Sequence, residues 1–200
     1  VCICNEMVFV DEKVADEFTE KVVKRTQQIK VGDPFAEGVH MGPNVSKFGL
    51  DRVNKLVQEN VAQGAELLLG GNIPEGKYFE KGNWYAPTIL GNVKGDDATI
   101  SQELFAPVMP IVKVGGFDEA IALANNREEG LSAYLYTNDY RLHQKAIDSL
   151  EVGTIFINQQ IIGNIQGYHS GHKTSGNAGE DGVFGIDHYL QKRTIYLNFE

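Results

Sequence analysis

The amino-acid sequence predicts an α/β protein with a largely parallel sheet flanked by helices. Short apolar runs, typical of buried strands, alternate with segments in which apolar residues recur at helical spacing. Clusters of Gly, Asn, Asp and Pro separate several of these segments, as expected for turns. Strands that alternate with helices favour parallel pairing, because each helix carries the chain back to where the next strand starts.

The first third of the chain shows this alternation. Residues 7–10 are predicted to form a short buried strand, and Asp11 is placed to cap the helix that follows. Turn residues at 30–34 end that helix. Ser46 is placed to cap a second helix, which closes near Gly64.

The remaining elements follow the same pattern up to Asn158. Strands are predicted at 67–69, 84–90, 108–114, 131–137 and 154–157, and helices at 118–126 and 140–150. The glycine-rich stretch 163–185 is too long for a casual connection and predicts a functional loop. Residues 193–199 resemble an edge strand that pairs with another subunit.

Composition and charge exclude several classes of protein. The 200 residues are 42% apolar and 22% charged, which suits one globular domain or one domain with an arm. With 18 basic and 27 acidic side chains the net charge is −9, so phosphate backbones and anionic membranes are expected to repel the chain. No apolar run approaches the roughly eighteen residues that a membrane helix needs.

The chain starts unusually, with two cysteines and no initiator Met. Cys2 and Cys4 are too few for a disulfide framework, and a bridge between residues so close would be strained. Reduced thiols in the cytoplasm are therefore expected. Neither a basic segment nor an apolar signal opens the chain, so we expect that an upstream part was removed or that this is a piece of a longer protein.

Several residues are candidates for chemistry, each with a structural alternative. Cys2 could be a nucleophile or a small buried side chain. Glu103 and Phe105 stand just before a strand, where a carboxylate and a ring could hold a ribose and a flat ring, or could be a surface Glu beside a core Phe. His169 and His172 lie three residues apart without a third ligand at an obvious spacing, so no metal site is expected.

A series of segments along the whole chain resembles landmarks of the aldehyde dehydrogenase superfamily. They are residues 1–6, 30–34, 41–43 and 85–90, the Glu103-x-Phe105-x-Pro107 box, residues 130–133 and 153–158, and Gly171-x-Lys173-x-Ser175-Gly176. The chain departs from the family pattern at Ala106, where Gly is usual, and lacks the Gly-Gln pair that normally precedes the nucleophile.

The resemblance implies a role for each matching residue. Cys2 falls on the nucleophile, Glu103 on the carboxylate that holds the nicotinamide ribose, and Phe105 on the ring that packs beside it. Asn158 falls on the wall of the aldehyde pocket. The tail falls on the strand through which family members form dimers or tetramers. The implied cofactor is NAD or NADP, with NAD favoured.

The substrate is narrowed by the segment Tyr168-His169-Ser170-Gly171, where many members read Pro-Phe-Gly-Gly. This segment resembles lactaldehyde and glycolaldehyde dehydrogenases. An imidazole can hydrogen-bond a hydroxyl beside the aldehyde carbon, whereas a Phe ring cannot, so His169 predicts small 2-hydroxyaldehydes. The alternative substrate is succinate semialdehyde, which would need a cationic partner such as Lys173.

In the family, the cofactor-binding half, the general-base Glu and the oxyanion Asn precede the nucleophile. The resemblance thus makes residues 1–187 the catalytic-domain portion and 188–200 an oligomerisation arm, and leaves the N-terminal cofactor-binding domain absent from this chain. The 200 residues alone are expected to be inactive. The alternative from another class is a silent fragment that folds and self-associates through its tail.

Overall fold

A mixed sheet with three parallel strands organises the larger part of the molecule. The computed structural model describes residues 1–94, 98–160 and 163–200. These divide into two compact units, one formed by residues 4–127 and the other by residues 1–3 with 128–200.

The unit of residues 4–127 is built on four strands. They are β1 (Val8–Asp11), β2 (Glu66–Leu69), β3 (Thr88–Gly91) and β4 (Val108–Val114), in the spatial order β1-β4-β3-β2. The β1–β4 and β3–β4 pairs are parallel, whereas β2 joins the edge antiparallel to β3. The prediction of an α/β fold with a parallel-containing sheet is confirmed.

Two of the helices of this unit begin after the capping residues that the sequence predicts. The helices are α1 (Glu12–Thr26), α2 (Lys47–Ala62), α3 (Ala98–Ser101) and α4 (Phe117–Asn125), with a 3-10 turn at Lys77–Glu80. The Asp11 carboxylate accepts a hydrogen bond from the N–H of Lys13, and the Ser46 hydroxyl accepts one from the N–H of Gly49. Both caps satisfy backbone donors that the first turn of a helix leaves unpaired.

The core of this unit lies between α2 and the sheet. Its fully or nearly buried members include Val53, Leu56 and Val57 of α2, Leu90 of β3, and Val108 and Val112 of β4. Leu104, four residues before the start of β4, also belongs to this cluster and is only 2% exposed. A residue between two candidate site residues is therefore anchored in the core.

The second unit contains short strands and two helices. Its elements are β5 (Glu129–Gly130), β6 (Ser132–Leu135), α5 (Tyr140–Ser149), β7 (Thr154–Ile157), β8 (His169–Ser170), β9 (His172–Lys173), β10 (Gly179–Glu180) and α6 (Gly182–Asp187). β6 and β7 pair in parallel, while β5 pairs with β9 and β8 with β10 in antiparallel.

Three segments differ from their sequence-based predictions. The strand expected at 84–90 starts only at Thr88, after Pro87, whose nitrogen has no hydrogen to donate to a ladder. The strand expected at 131–137 is shorter, since β6 covers only Ser132–Leu135, and the separate short strand β5 precedes it at Glu129–Gly130. The glycine-rich stretch 163–185 is not a plain loop, since its described part carries β8, β9, β10 and most of α6.

The tail 188–200 contains no strand, although an edge strand was expected at 193–199. An edge strand gains its hydrogen bonds only from a neighbouring strand, and nothing in the tail pairs with this chain's own sheets. The tail residues are exposed, and pairing with another subunit stays a prediction.

Candidate active site

The candidate nucleophile, Cys2, is an exposed free thiol in the second unit. The structural alternative of a small buried side chain is therefore wrong. The backbone of the next residue is restrained, because the Tyr134 hydroxyl donates a hydrogen bond to the Ile3 carbonyl at 2.7 Å. Tyr134 in turn stacks on Phe156, with ring centroids 4.8 Å apart and planes 11° from parallel. The exposed thiol thus lies one residue before a backbone carbonyl that β6 holds, with β7 packed against it.

His169 lies in the same unit, on β8, and is half-buried. Its Nδ1 atom is 3.3 Å from the Thr154 hydroxyl at the start of β7. This contact fixes the plane of the imidazole and engages one ring nitrogen. Nε2 is then the nitrogen that can meet a substrate hydroxyl, as donor or acceptor according to the tautomer.

Asn158, the third candidate in this unit, directly follows β7 and has a left-handed backbone conformation with φ of 53°. Its amide bonds Thr137 in both directions: Oδ1 accepts from the N–H at 3.0 Å and Nδ2 donates to the carbonyl at 2.8 Å. Asn tolerates positive φ better than most residues, which suits this position. The Asn158 side chain thus joins two loops. It can contribute to a pocket wall by holding these loops in place.

Glu103 and Phe105 belong to the other unit and flank the buried Leu104. Leu104 turns into the core, and both of its neighbours are exposed, with 57% of Phe105 accessible. The alternative of a core Phe is therefore wrong. Phe105 also has φ of 45°, a conformation that costs a non-glycine residue about 1–3 kcal/mol.

Two side chains hold this exposed pair through its backbone. Arg52 of α2 donates to the Glu103 carbonyl at 2.5 Å, and the Phe105 N–H donates to the Glu6 carboxylate at 2.8 Å. The Glu103 carboxylate is an acceptor for hydroxyl donors, and the exposed Phe105 ring offers a face for a planar group. An acceptor and a ring face of this kind fit a ribose attached to an aromatic ring.

Sequence reasoning did not single out Glu6 or Arg127 as members of the candidate site. The two side chains form an ion pair at 3.3 Å between residues 121 positions apart, and their side chains are only 18% and 10% exposed. No local spacing connects them. The one available signal was an acidic residue inside the segment that resembles the family's nucleophile motif.

The described residues add two further findings about this chain. Within residues 1–94, 98–160 and 163–200, no three His, Cys, Asp or Glu side chains are grouped as a metal site would require. Over the same ranges, every helix is too short or too polar to cross a membrane.

Together, the fold and the exposed thiol define an α/β protein with features of a thiol-dependent enzyme. A model of the aldehyde dehydrogenase family matches residues 1–195. The chain belongs to this family, whose members are nicotinamide-dependent oxidoreductases acting on aldehydes. The resemblance read from the sequence motifs is thereby confirmed.

Individual relatives carry different names. The chain is 41% identical over 201 residues to 3,6-anhydro-alpha-L-galactose dehydrogenase of Vibrio sp. strain EJY3, covering 100% of this chain and 42% of that protein. It is 34% identical over 198 residues to lactaldehyde dehydrogenase of Escherichia coli strain K12, covering 98% and 40%. The chain spans about two fifths of the length of these relatives.

Solved structures agree with these sequence matches. A 3,6-anhydro-L-galactose dehydrogenase in complex with NADP superposes with a TM-score of 0.94 at 41% identity, covering 99% of this chain and 42% of that one. Lactaldehyde dehydrogenase from Escherichia coli superposes with a TM-score of 0.90 at 35% identity, covering 98% and 41%. The expected relation to lactaldehyde dehydrogenases is confirmed, and the relation to anhydrogalactose dehydrogenases was not anticipated.

Proposed function

We propose that this chain supplies the catalytic-cysteine part of an NAD(P)-dependent enzyme that oxidises 2-hydroxyaldehydes to carboxylic acids. The observation that carries the proposal is the exposed Cys2 thiol, which lies in the same unit as His169 and which the motif resemblance matches to the family's nucleophile. We propose NAD as the favoured cofactor, with NADP as the alternative.

The first chemical task falls to Cys2. As a thiolate, its sulfur adds to the aldehyde carbon, and the carbonyl π electrons move to oxygen. The backbone N–H of Cys2 belongs to the reacting residue itself and can donate a hydrogen bond to the resulting oxyanion. The Tyr134 hydroxyl bonds the Ile3 carbonyl and so restrains the backbone one residue after Cys2.

The nicotinamide cofactor, when bound, supplies the acceptor for the hydride that leaves the substrate carbon. In this chain, the Glu103 carboxylate would accept hydrogen bonds from its ribose hydroxyls, and the Phe105 ring would pack against its planar part. Cys2 then carries the oxidised substrate as a thioester, and attack by water releases the acid and restores the thiol.

The substrate class rests on His169. Its imidazole is oriented by Thr154 and offers a hydrogen bond where a Phe ring would offer none. Lactaldehyde and the open aldehyde form of anhydrogalactose both carry a hydroxyl on the carbon next to the aldehyde. The names of these relatives therefore support the same chemical class, although the two substrates differ in size.

The succinate semialdehyde alternative has weaker support. It would require a cation, either Lys173 or an upstream Arg, to meet a substrate carboxylate, and the Lys173 ammonium is already paired with the Glu151 carboxylate at 2.7 Å. A charge already engaged by a neighbouring carboxylate is a poor partner for a second one.

The silent fragment remains the second candidate function, because the tail exposes large apolar side chains. Tyr196 and Phe199 are 93% and 91% exposed, which suits self-association without turnover. Under this candidate, Cys2 would have no reaction to perform.

The test compares Cys2→Ala with Cys4→Ala in the complete enzyme. Both remove an exposed thiol, and only the first removes the proposed nucleophile. We expect Cys2→Ala to reduce oxidation of lactaldehyde at least 10³-fold, on the order seen for lost nucleophiles, while cofactor still binds. Cys4→Ala should stay within about threefold of wild type, a surface-substitution estimate. Full activity of Cys2→Ala would rule out the proposed mechanism.

A further inference from the structure

The segment that follows the nucleophile contains a nearly buried carboxylate that contacts the Glu103–Phe105 pair. Glu6 Oε1 accepts the Phe105 N–H at 2.8 Å, and Glu6 Oε2 lies 3.3 Å from an Arg127 guanidinium nitrogen. The carboxylate therefore connects a backbone amide in the box to a cation just after α4. We propose that Glu6 and Arg127 are positioning residues, which hold Phe105 in the conformation that receives the nicotinamide cofactor.

The first support is that Arg127 is itself fixed. One guanidinium nitrogen donates to the Ile100 carbonyl at 3.0 Å and lies 3.5 Å from the Met7 sulfur, and the other faces Glu6. A planar guanidinium engaged on several sides has little freedom to rotate. Arg127 thus presents Glu6 in one orientation, with one oxygen directed at the Phe105 amide.

The second support is the backbone of Phe105. A non-glycine residue at φ of 45° needs its surroundings to keep it there. Leu104 anchors one side in the core, Arg52 bonds the Glu103 carbonyl, and Glu6 bonds the Phe105 amide. Of these contacts, the Glu6 bond is the one made at the strained residue.

The third support is the burial of the ion pair. Side-chain exposures of 18% for Glu6 and 10% for Arg127 contrast with 69% and 73% for the surface pair Glu17 and Lys21. A charge-assisted bond shielded from water is stronger and better aligned than an exposed one. Without this bond, Phe105 would sample other conformations. Cofactor affinity would then fall in proportion to the fraction of molecules that keeps the binding conformation.

The inference rests on the proposed function, because it assigns these residues to that cofactor. It adds that the carboxylate bonded to the Phe105 amide stands four residues after the proposed nucleophile in the sequence. Substitutions at Glu6 should therefore change cofactor binding without removing any cofactor contact.

The test uses the complete enzyme with Glu6→Ala, Glu6→Gln and Arg127→Lys, and Glu17→Ala as the matched control. Dissociation constants for NAD and NADP are measured by titration calorimetry, with no substrate present. Glu6→Ala should weaken binding about tenfold or more, as expected for loss of a hydrogen bond to a charged group. Glu6→Gln should weaken it less, because the amide oxygen still accepts the Phe105 N–H, and Arg127→Lys should also have an intermediate effect.

Two further readouts separate positioning from general stability. Hydrogen exchange at the Phe105 amide, measured without cofactor, should accelerate in Glu6→Ala and not in Glu17→Ala. The KM for cofactor should rise, whereas the KM for aldehyde and the kcat at saturating cofactor should stay within about threefold of wild type, as expected when only ground-state binding is lost. If Glu6 and Arg127 only stabilised the fold, Glu6→Ala would lower the melting temperature and leave the KM for cofactor unchanged relative to the KM for aldehyde.

The outcomes distinguish this inference from the proposed function. Wild-type enzyme that binds neither NAD nor NADP would overturn both. Wild-type enzyme that binds cofactor, with an unchanged dissociation constant in folded Glu6→Ala, would overturn the positioning role alone. Cofactor dissociation constants that decrease from Glu6→Ala to Glu6→Gln to wild type would support the positioning role.

Discussion

At the residue scale, the side chains for which we propose chemical roles are held by neighbours that local sequence does not reveal. His169 was singled out because it replaces a Phe of the family pattern, and the structure adds Thr154, whose hydroxyl meets Nδ1 at 3.3 Å. The replacement alone indicates a change of substrate. The contact with Thr154 indicates which ring nitrogen can make the new hydrogen bond.

We expect His169→Phe to reverse the preference for a hydroxyl beside the aldehyde. The ratio of kcat/KM for lactaldehyde over propionaldehyde should fall about tenfold or more in the complete enzyme, because a hydrogen bond made by the imidazole is lost. His172→Phe, an exposed histidine on β9, is the matched control and should leave the ratio unchanged. An unaltered ratio in His169→Phe would remove the reason for assigning 2-hydroxyaldehydes.

At the element scale, helix starts were predicted correctly because their causes are local. Asp11 and Ser46 cap α1 and α2 through side-chain bonds to N–H groups two or three residues ahead, so a short window of sequence contains the whole interaction. The start of β3 was predicted too early for a different reason. Trp84 and Tyr85 have strand-like side chains, but they are buried by tertiary packing in irregular backbone.

Tyr85 also connects two elements, since its hydroxyl donates to the Asn54 side chain of α2 at 3.2 Å. Burial raises the pKa of Tyr85 from 10.0 to about 12. The unfolded chain therefore loses this proton at a lower pH than the folded protein does. Unfolding releases a proton between pH 10 and 12, so rising pH lowers the free energy of unfolding across this window.

We expect Tyr85→Phe to be less stable than wild type at pH 8, by about 1 kcal/mol for the lost hydrogen bond. The difference should narrow as pH rises from 10 to 12, because the variant lacks the ionising group. Thermal unfolding measured across this range checks both expectations. Tyr78→Phe, at a 55% exposed position, is the control, and a constant difference for Tyr85→Phe would contradict the pKa argument.

At the scale of the whole molecule, the tail is the segment for which we propose pairing with another subunit. Residues 188–200 are exposed and form no strand, yet 193–199 alternate in the way an edge strand does. We expect this arm to pair only when another copy offers a strand edge, because a lone strand cannot satisfy its own backbone groups.

We expect the complete enzyme without residues 188–200 to have a lower oligomeric mass by light scattering. Ile195→Asp with Leu197→Asp should have the same effect, because an edge strand places both side chains on one face. Thr194→Asp, on the opposite face, is the control and should keep the wild-type mass. A wild-type mass after deletion of the tail would exclude this segment as the pairing element.

The amino-acid sequence was enough to predict the α/β class, the bounds of β4 and β7, two helix caps and the family motifs around Cys2, Glu103 and His169. These features depend on residues close together in the chain, so their physical causes are visible in short windows. The folded structure was needed to find that Phe105 is exposed in a left-handed conformation, and that Glu6 accepts its N–H while pairing with Arg127. Such contacts join residues about a hundred positions apart, and packing of the folded chain brings them together.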